Sequence, residues 1–146
     1  GRNSVNTSII ENEIYLGRCE GIFIINGGKS RIHRNRIYDN HHGIVCVVSV
    51  PDIVKNKITK NKYNGLMLLK SSQVVLDGNE ITGNQCIGIY VRDKCKGDFK
   101  NNKVNSNGEV DLVIEKKHAE FNNVLEQNDI VGDIRIPQMF LCRIFQ

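Results

Sequence analysis

The chain has 146 residues, a mass of 16.5 kDa and a net charge of +4, with 40% hydrophobic, 25% charged and only 6% aromatic residues. That make-up describes about one ordinary globular domain. It excludes a disordered chain, a collagen-like or linker segment and a membrane span, because the longest apolar runs, at residues 21–25 and 43–48, stop after a few residues. The mild positive charge does not point to nucleic acid, which asks for a more concentrated basic surface.

The chain opens polar, at Gly1-Arg2-Asn3-Ser4, with no apolar stretch of a secretion signal. From there a triplet, Asn-x-aliphatic, returns as Asn12-Glu13-Ile14, Asn35-Arg36-Ile37, Asn56-Lys57-Ile58, Asn79-Glu80-Ile81, Asn102-Lys103-Val104 and, more loosely, Asn123-Val124-Leu125. Successive triplets are 21 or 23 residues apart, and they absorb many of the 18 asparagines. Five residues after each stands a second turn former: Gly17, Asn40, Asn61, Asn84, Asn107 and Asn128. A glycine then opens a short aliphatic run, as in Gly21-Ile22-Phe23-Ile24, Gly43-Ile44-Val45-Cys46, Gly65-Leu66-Met67-Leu68 and Gly88-Ile89-Tyr90-Val91. Asp111 replaces that glycine before Leu112-Val113-Ile114, and Gly132-Asp133 precedes Ile134-Arg135-Ile136.

Six units of about 22 residues call for a repeat architecture. Leucine-rich repeats share the period but need a leucine scaffold and a helical or extended return, whereas this scaffold is Ile and Val with period-two alternation, broken by Asn and Gly. The pattern predicts an all-β, right-handed parallel β-helix of about six coils over residues 1–136, with residues 137–146 as a C-terminal cap or tail. Gly and Asn are expected at corners because they tolerate φ > 0, and stacked asparagines can form amide ladders. The expected inward stacks are Ile14, Ile37, Ile58, Ile81, Val104, Leu125; Ile22, Ile44, Leu66, Ile89, Leu112, Ile134; Ile24, Cys46, Leu68, Val91, Ile114, Ile136; and Ile9, Ile32, Ile53, Leu76, Phe99. The first unit starts in mid-pattern without a cap, so its open end is expected to meet missing flanking sequence or a second copy.

Five cysteines (Cys19, Cys46, Cys86, Cys95, Cys142) make an odd count without CxxC spacing. That favours reduced thiols and a cytoplasmic or nuclear protein over a disulfide framework or zinc ribbon.

Parallel β-helices often act on acidic polysaccharides, through clustered carboxylates that hold calcium and a basic residue that takes a proton, or through convergent acids. Here the outward acids are scattered, and only Asp111 and Asp133 fall at equivalent places on adjacent coils. Asn-Thr-Asp, Asp-Asp, Gly-His-Gly and Arg-Ile-Lys motifs of polygalacturonases are absent, as is the Tyr-Gly-x-Asp-Pro-His stretch of alginate epimerases. A non-enzyme is therefore expected, with no metal and no cofactor. His41-His42 beside Asp39 read as a solvated corner, and His118 as part of a polar turn. Arg34, Arg36, Lys55 and Lys57 form a basic stripe for an anionic partner, without the interleaved aromatics that stack bases.

Outward positions of the Gly-led strands carry Phe23, Val45, Met67 and Tyr90, and beside them Ile25, Val47 and Leu69. A strand with one wet face should be polar there. Contiguous apolar surface of this kind marks an interaction site, so these seven residues are the expected protein-binding site.

The coil pattern Gly-Ile-x-Ile … Asn-x-Ile-x-x-Asn, from Asn12 to Ile136, resembles the repeats of eukaryotic intracellular β-helix proteins. Among these are the F-box proteins that carry a long β-helix and, second, the Shc-binding spindle-associated proteins. The F-box resemblance implies the substrate-recognition β-helix of a ubiquitin ligase adaptor, a non-catalytic scaffold, although this chain has neither an F-box nor a zinc-binding tail. The alternative expectation is a carbohydrate-binding or polysaccharide-cleaving β-helix.

Overall fold

The computed structural model of the chain describes residues 6–115, 120–122 and 127–135. The expected cap at 137–146, the first five residues, His118, Leu125 and Ile136 lie outside the described residues.

Each coil contributes three short strands, and the strands stack into three parallel sheets. Sheet A holds β1 (Ser8–Ile10), β4 (Arg31–His33), β7 (Asp52–Val54), β10 (Gln73–Asp77), β13 (Lys96–Lys100) and β16 (Glu120–Asn122). Sheet B holds β2 (Glu13–Tyr15), β5 (Arg36–Tyr38), β8 (Lys57–Thr59), β11 (Glu80–Thr82), β14 (Lys103–Asn105) and β17 (Asp129–Ile130). Sheet C holds β3 (Ile22–Ile25), β6 (Ile44–Val47), β9 (Leu66–Leu69), β12 (Ile87–Val91), β15 (Val110–Ile114) and β18 (Ile134–Arg135). Ile37 pairs with Ile14 on one side and Ile58 on the other, which is the superposition a 21- to 23-residue repeat requires. No helix among the described residues is long and apolar enough to cross a membrane.

The interior is a column of aliphatic side chains, one per strand face per coil. Ile32, Ile53, Leu76 and Phe99 on sheet A meet Ile37, Ile58, Ile81 and Val104 on sheet B, and Ile44, Leu66, Ile89 and Leu112 on sheet C. Each such side chain contributes roughly 1.5–3 kcal/mol by leaving water, so several per coil hold neighbouring coils together. Cys46 and Cys95 sit in the same column, fully buried. Burial pushes the Cys46 thiol up to about 12, so it behaves as a small hydrophobe, as the sequence pattern implies.

Asparagine fills two of the three corners. Between sheets A and B the main-chain N–H groups of Asn12, Asn35, Asn56, Asn79 and Asn102 each donate to the side-chain oxygen of the next asparagine, ending at Asn128, over 2.9–3.0 Å. From Asn35 on, each side-chain amide in turn donates back to a carbonyl of the coil before, as Asn56 does to Ile32 at 2.7 Å. A second ladder, Asn40, Asn61, Asn84 and Asn107, runs between sheets B and C. The sheet C to sheet A corner uses serine instead, Ser49 N–H donating to Ser72 Oγ at 3.2 Å. These bonds satisfy polar groups that are almost fully buried, where an orphaned donor is costly.

Two expectations need correcting. The ladder asparagines at 12, 35, 56, 79 and 102 are not the left-handed residues of the corner. That conformation falls one position earlier, on Glu11, Arg34, Lys55 and Asn101, with φ of 56 to 58°, and on Gly78 at 69°. The side chain needed inside the corner is the asparagine amide, so the unfavourable φ is displaced onto its exposed neighbour. The sixth coil is also read one element too early by the sequence pattern. Val104 pairs with Ile130, not Leu125, and the ladder continues to Asn128, 26 residues beyond Asn102. The triplet Asn128-Asp129-Ile130 fits the corner, 26 residues after Asn102 where the earlier steps are 21 or 23.

Glycines at 21, 43, 65 and 88 open the sheet C strands because coils approach closely there. A Cβ on Gly65 would lie 2.8 Å from the carbonyl oxygen of Gly88 and 2.7 Å from Ile81 Cγ2. Only a hydrogen fits.

Candidate functional site

A solenoid whose interior is packed offers its outer faces for function. On sheet C, Phe23, Val45, Met67 and Tyr90 do form one outward column and Ile25, Val47 and Leu69 another, in the expected register. The exposure differs from the expectation. Val45 and Val47 are 5% and 8% exposed, because a branched side chain between larger neighbours, spaced about 4.8 Å apart, is covered by them. Met67, Leu69 and Tyr90 are partly covered, which leaves Phe23 and Ile25, each 53% exposed, at one end of the stripe. Tyr90 is held by its own neighbours: burial and a hydrogen bond to Glu115 push its phenol up to about 12, and Arg92, paired with Glu115 at 3.3 Å, lies 5.9 Å from its ring centre.

The corner histidines are packed, not solvated. His41 and Tyr63 rings are 4.2 Å apart, and His42 accepts a hydrogen bond from the Asn64 N–H through Nδ1 at 3.2 Å. Partial burial, with the neighbouring His41, lowers the His42 pKa below its ordinary value. Among the described residues no group of three His, Cys, Asp or Glu side chains is arranged to hold a metal ion.

Asp111, the acid that adjacent-coil spacing marks for catalysis, is 4% exposed. One of its oxygens accepts two hydrogen bonds from Asn107, which makes it a structural group inside the corner. The register with Asp133 is as expected, since the Asp111 N–H donates to the Asp133 carbonyl.

Sheet B carries an outer face that combines charge, aromatic surface and concavity. Its first outward column runs Glu13, Arg36, Lys57, Glu80, Lys103 and its second Tyr15, Tyr38, Thr59, Thr82, Asn105. Tyr15 and Tyr38 stack with ring centres 5.1 Å apart and planes 5° from parallel. Glu13 pins the next coil, taking Arg36 at 3.0 Å and the Tyr38 hydroxyl at 3.1 Å. Partial burial and that hydrogen bond raise the Tyr38 pKa above its usual value.

Beyond Tyr38 the column steps down to threonine. Ring volume is lost at Thr59 and Thr82, and Gly83 has no side chain at the following corner, so a groove of about 380 Å³ opens. Its walls carry Tyr38, Arg36, Lys57 and Lys60, with Asp39 and Glu80 as acceptors. Two members of the basic stripe, Arg36 and Lys57, thus line the groove in direct register. Arg34 and Lys55 occupy the left-handed corner beside them, Arg34 lying 3.7 Å from Glu11. Lys60, part of the basic cluster that the sequence shows beside Lys55 and Lys57, also lines the groove, whereas sequence reasoning missed Tyr38, Thr59, Glu80 and Thr82. The available signal was the step from Tyr to Thr between equivalent positions of adjacent coils.

Such a groove suits a polyhydroxylated anion. Guanidinium and ammonium groups pair with carboxylate or sulfate, carboxylates and threonine hydroxyls hydrogen-bond to hydroxyl groups, and the tyrosine ring offers apolar surface.

Comparison with known proteins adds three findings. Residues 1–134 match the family described as the right-handed beta helix region. No curated protein matches the chain. Among solved structures, the periplasmic alginate epimerase AlgG is similar at 19% identity with a TM-score of 0.63, over 85% of this chain and 39% of that one. A point mutant of it is similar at 23% identity and a TM-score of 0.64, over 88% and 32%. The chain spans about a third of the length of the solved chains it matches. At this identity the likeness establishes the fold alone. These neighbours are periplasmic enzymes, and that finding overturns the expectations of a non-enzyme and of a cytoplasmic or nuclear protein, which had rested on scattered acids and an odd cysteine count. Nothing in the comparisons supports the F-box or Shc-binding resemblance beyond the coil architecture. With a family match across nearly its whole length and a three-sheet parallel solenoid, the chain belongs to the right-handed β-helix family.

Proposed function

We propose that this β-helix is part of a carbohydrate-active protein and that it holds an acidic polysaccharide in the groove of sheet B. The observation that carries the reading is the register of Arg36 beside Lys57, in a groove lined also by Tyr38, Thr59 and Thr82. The coil spacing of about 4.8 Å is close to the length of one sugar residue, so a glycan laid along the solenoid axis presents successive sugars to successive coils. Arg36 and Lys57 take the anionic substituents, Asp39 and Glu80 accept hydroxyl hydrogens, and the Tyr38 ring packs on a sugar face. The solved neighbours add support from outside the chain, being enzymes named for alginate, and they favour a periplasmic or extracellular setting.

Calorimetric titration of the chain with alginate oligosaccharides, beside a neutral glucan oligosaccharide, tests the proposal. Acidic oligosaccharides should bind, binding should weaken with added salt, and R36A/K57A should lower affinity by roughly tenfold at low salt. Equal binding of the neutral glucan, or an unaffected double variant, would overturn it.

A second reading concerns sheet C. Phe23 and Ile25 border a hollow of about 320 Å³ that Thr7 and Ile9 complete, and exposed apolar surface there favours a polypeptide partner.

A further inference from the structure

Within the groove lining the positive charge, on Arg36, Lys57 and Lys60, is confined to two coils. In the corner preceding sheet B, equivalent positions of the first four coils read Glu11, Arg34, Lys55, Gly78. In the first outward column they read Glu13, Arg36, Lys57, Glu80. Both columns therefore begin with an acid, carry two cations and then lose them, the second by reversal to Glu80. The acids of the first coil are spent on the second: Glu11 lies 3.7 Å from Arg34 and Glu13 3.0 Å from Arg36. Glu80 stands in register between Lys57 and Lys103, inside the groove lining.

Resting on the acidic-glycan reading above, we propose that Glu80 is a specificity-determining residue, and that the groove selects glycans whose negative charge is confined to two neighbouring sugars. Arg36 and Lys57 receive the two anions. A third consecutive anion would face the Glu80 carboxylate across a single strand spacing of about 4.8 Å, where like charges repel. A neutral sugar at that place gives Glu80 a hydroxyl to accept from. The window from Glu13 to Glu80 spans three strand spacings, about 14 Å, which sets the length over which charge is tolerated. A uniformly charged polyuronate meets the cations of the same two coils and pays for the contact with Glu80 on the next.

Two tetrasaccharides separate the possibilities: a tetrauronate, and one with two adjacent uronates flanked by neutral hexoses. Titrated calorimetrically against the full chain at low ionic strength, the second should bind more tightly. E80Q should tighten the tetrauronate by roughly three- to fivefold and leave the paired-uronate glycan within about twofold, because glutamine keeps an acceptor oxygen but loses the charge. Equal binding of both glycans, with E80Q changing neither, overturns this proposal and leaves the acidic-glycan reading standing. If neither glycan binds, both fall.

Discussion

Asn107 gives both its main-chain N–H, at 3.1 Å, and its side-chain amide, at 2.7 Å, to one carboxylate oxygen of Asp111. At that place in the ladder every earlier asparagine donates to an asparagine one coil on: Asn40 to Asn61, Asn61 to Asn84, Asn84 to Asn107. The sixth coil supplies no asparagine there, and Asp111, four residues ahead in the same coil, closes the row in its stead. A carboxylate is the stronger acceptor, which suits a terminus where amide dipoles all point one way.

Removing that terminus leaves the half-buried Asn107 main-chain N–H without its acceptor, while the side-chain amide keeps Ile81 O at 3.1 Å and Asn105 O at 3.2 Å. D111A should cost about 1–3 kcal/mol, read as a lowered urea midpoint with an unchanged slope. D111N keeps an acceptor and should cost less. An Asp111 whose replacement left stability untouched would not be closing the ladder.

Asn56 shows what the interior of the other ladder is worth. Its side-chain oxygen accepts from the Asn35 N–H at 2.9 Å and the Asn35 amide at 3.0 Å, while its own amide donates to Ile32 O at 2.7 Å and Asn79 Oδ1 at 3.1 Å. N56A strands the Asn35 donors and the Ile32 carbonyl on the preceding coil and removes one of two donors to Asn79 Oδ1 on the following coil, at a corner only 2% exposed. A loss of about 3 kcal/mol is expected in equilibrium unfolding. N56D should not rescue it, since a carboxylate cannot donate to Ile32 and Asn79. Equal stability of N56D and the parent would mean that the amide donors are dispensable.

The coil register was legible because a solenoid writes its contacts at a fixed sequence separation: the Asn-x-Ile triplets alone place Ile37 between Ile14 and Ile58. Where the period changes, the reading fails. Asn123 and Asn128 both open such a triplet, and Asn128 is the one that takes the ladder bonds from Asn102. The groove was half legible. Arg36 and Lys57 stand out as charges in sequence, but the space beside them exists only as a difference in side-chain volume between Tyr38 and Thr59, each next to a core isoleucine. Exposure on sheet C was misjudged for the same kind of reason. Val45 and Val47 face outward, yet neighbours in their column cover them.

Alkaline stability should carry the signature of a buried thiol. Burial raises Cys46 to about 12 from an ordinary value near 9. The folded state thus keeps the proton longer than the unfolded state does. The sign follows: its contribution is fully present below pH ~9 and is lost progressively as pH climbs toward ~12, with a slope of at most about 1.4 kcal/mol per pH unit. Cys95, raised by burial to about 11, adds to the same trend. C46A should flatten unfolding free energy against pH in that window, whatever it costs in packing. In the native protein Cys46 should also resist alkylation at pH 8, while exposed Cys19 reacts. Rapid native-state labelling of Cys46 would contradict its burial.

The apolar end of sheet C separates binding from folding. Phe23 and Ile25 project from β3 on the outside, each about half exposed, while Ile22 and Ile24 on the same strand face the core. F23S/I25S removes outer surface and leaves the inward pair, so stability should change by less than about 1 kcal/mol. If a polypeptide packs on this end, the double variant should lose that association, seen as a lower apparent mass in light scattering or reduced binding of an apolar dye. The glycan titration on sheet B should not move, since neither residue lines that groove. A parent chain that is monomeric and binds no dye, with the variant identical to it, would remove the sheet C reading and leave sheet B untouched.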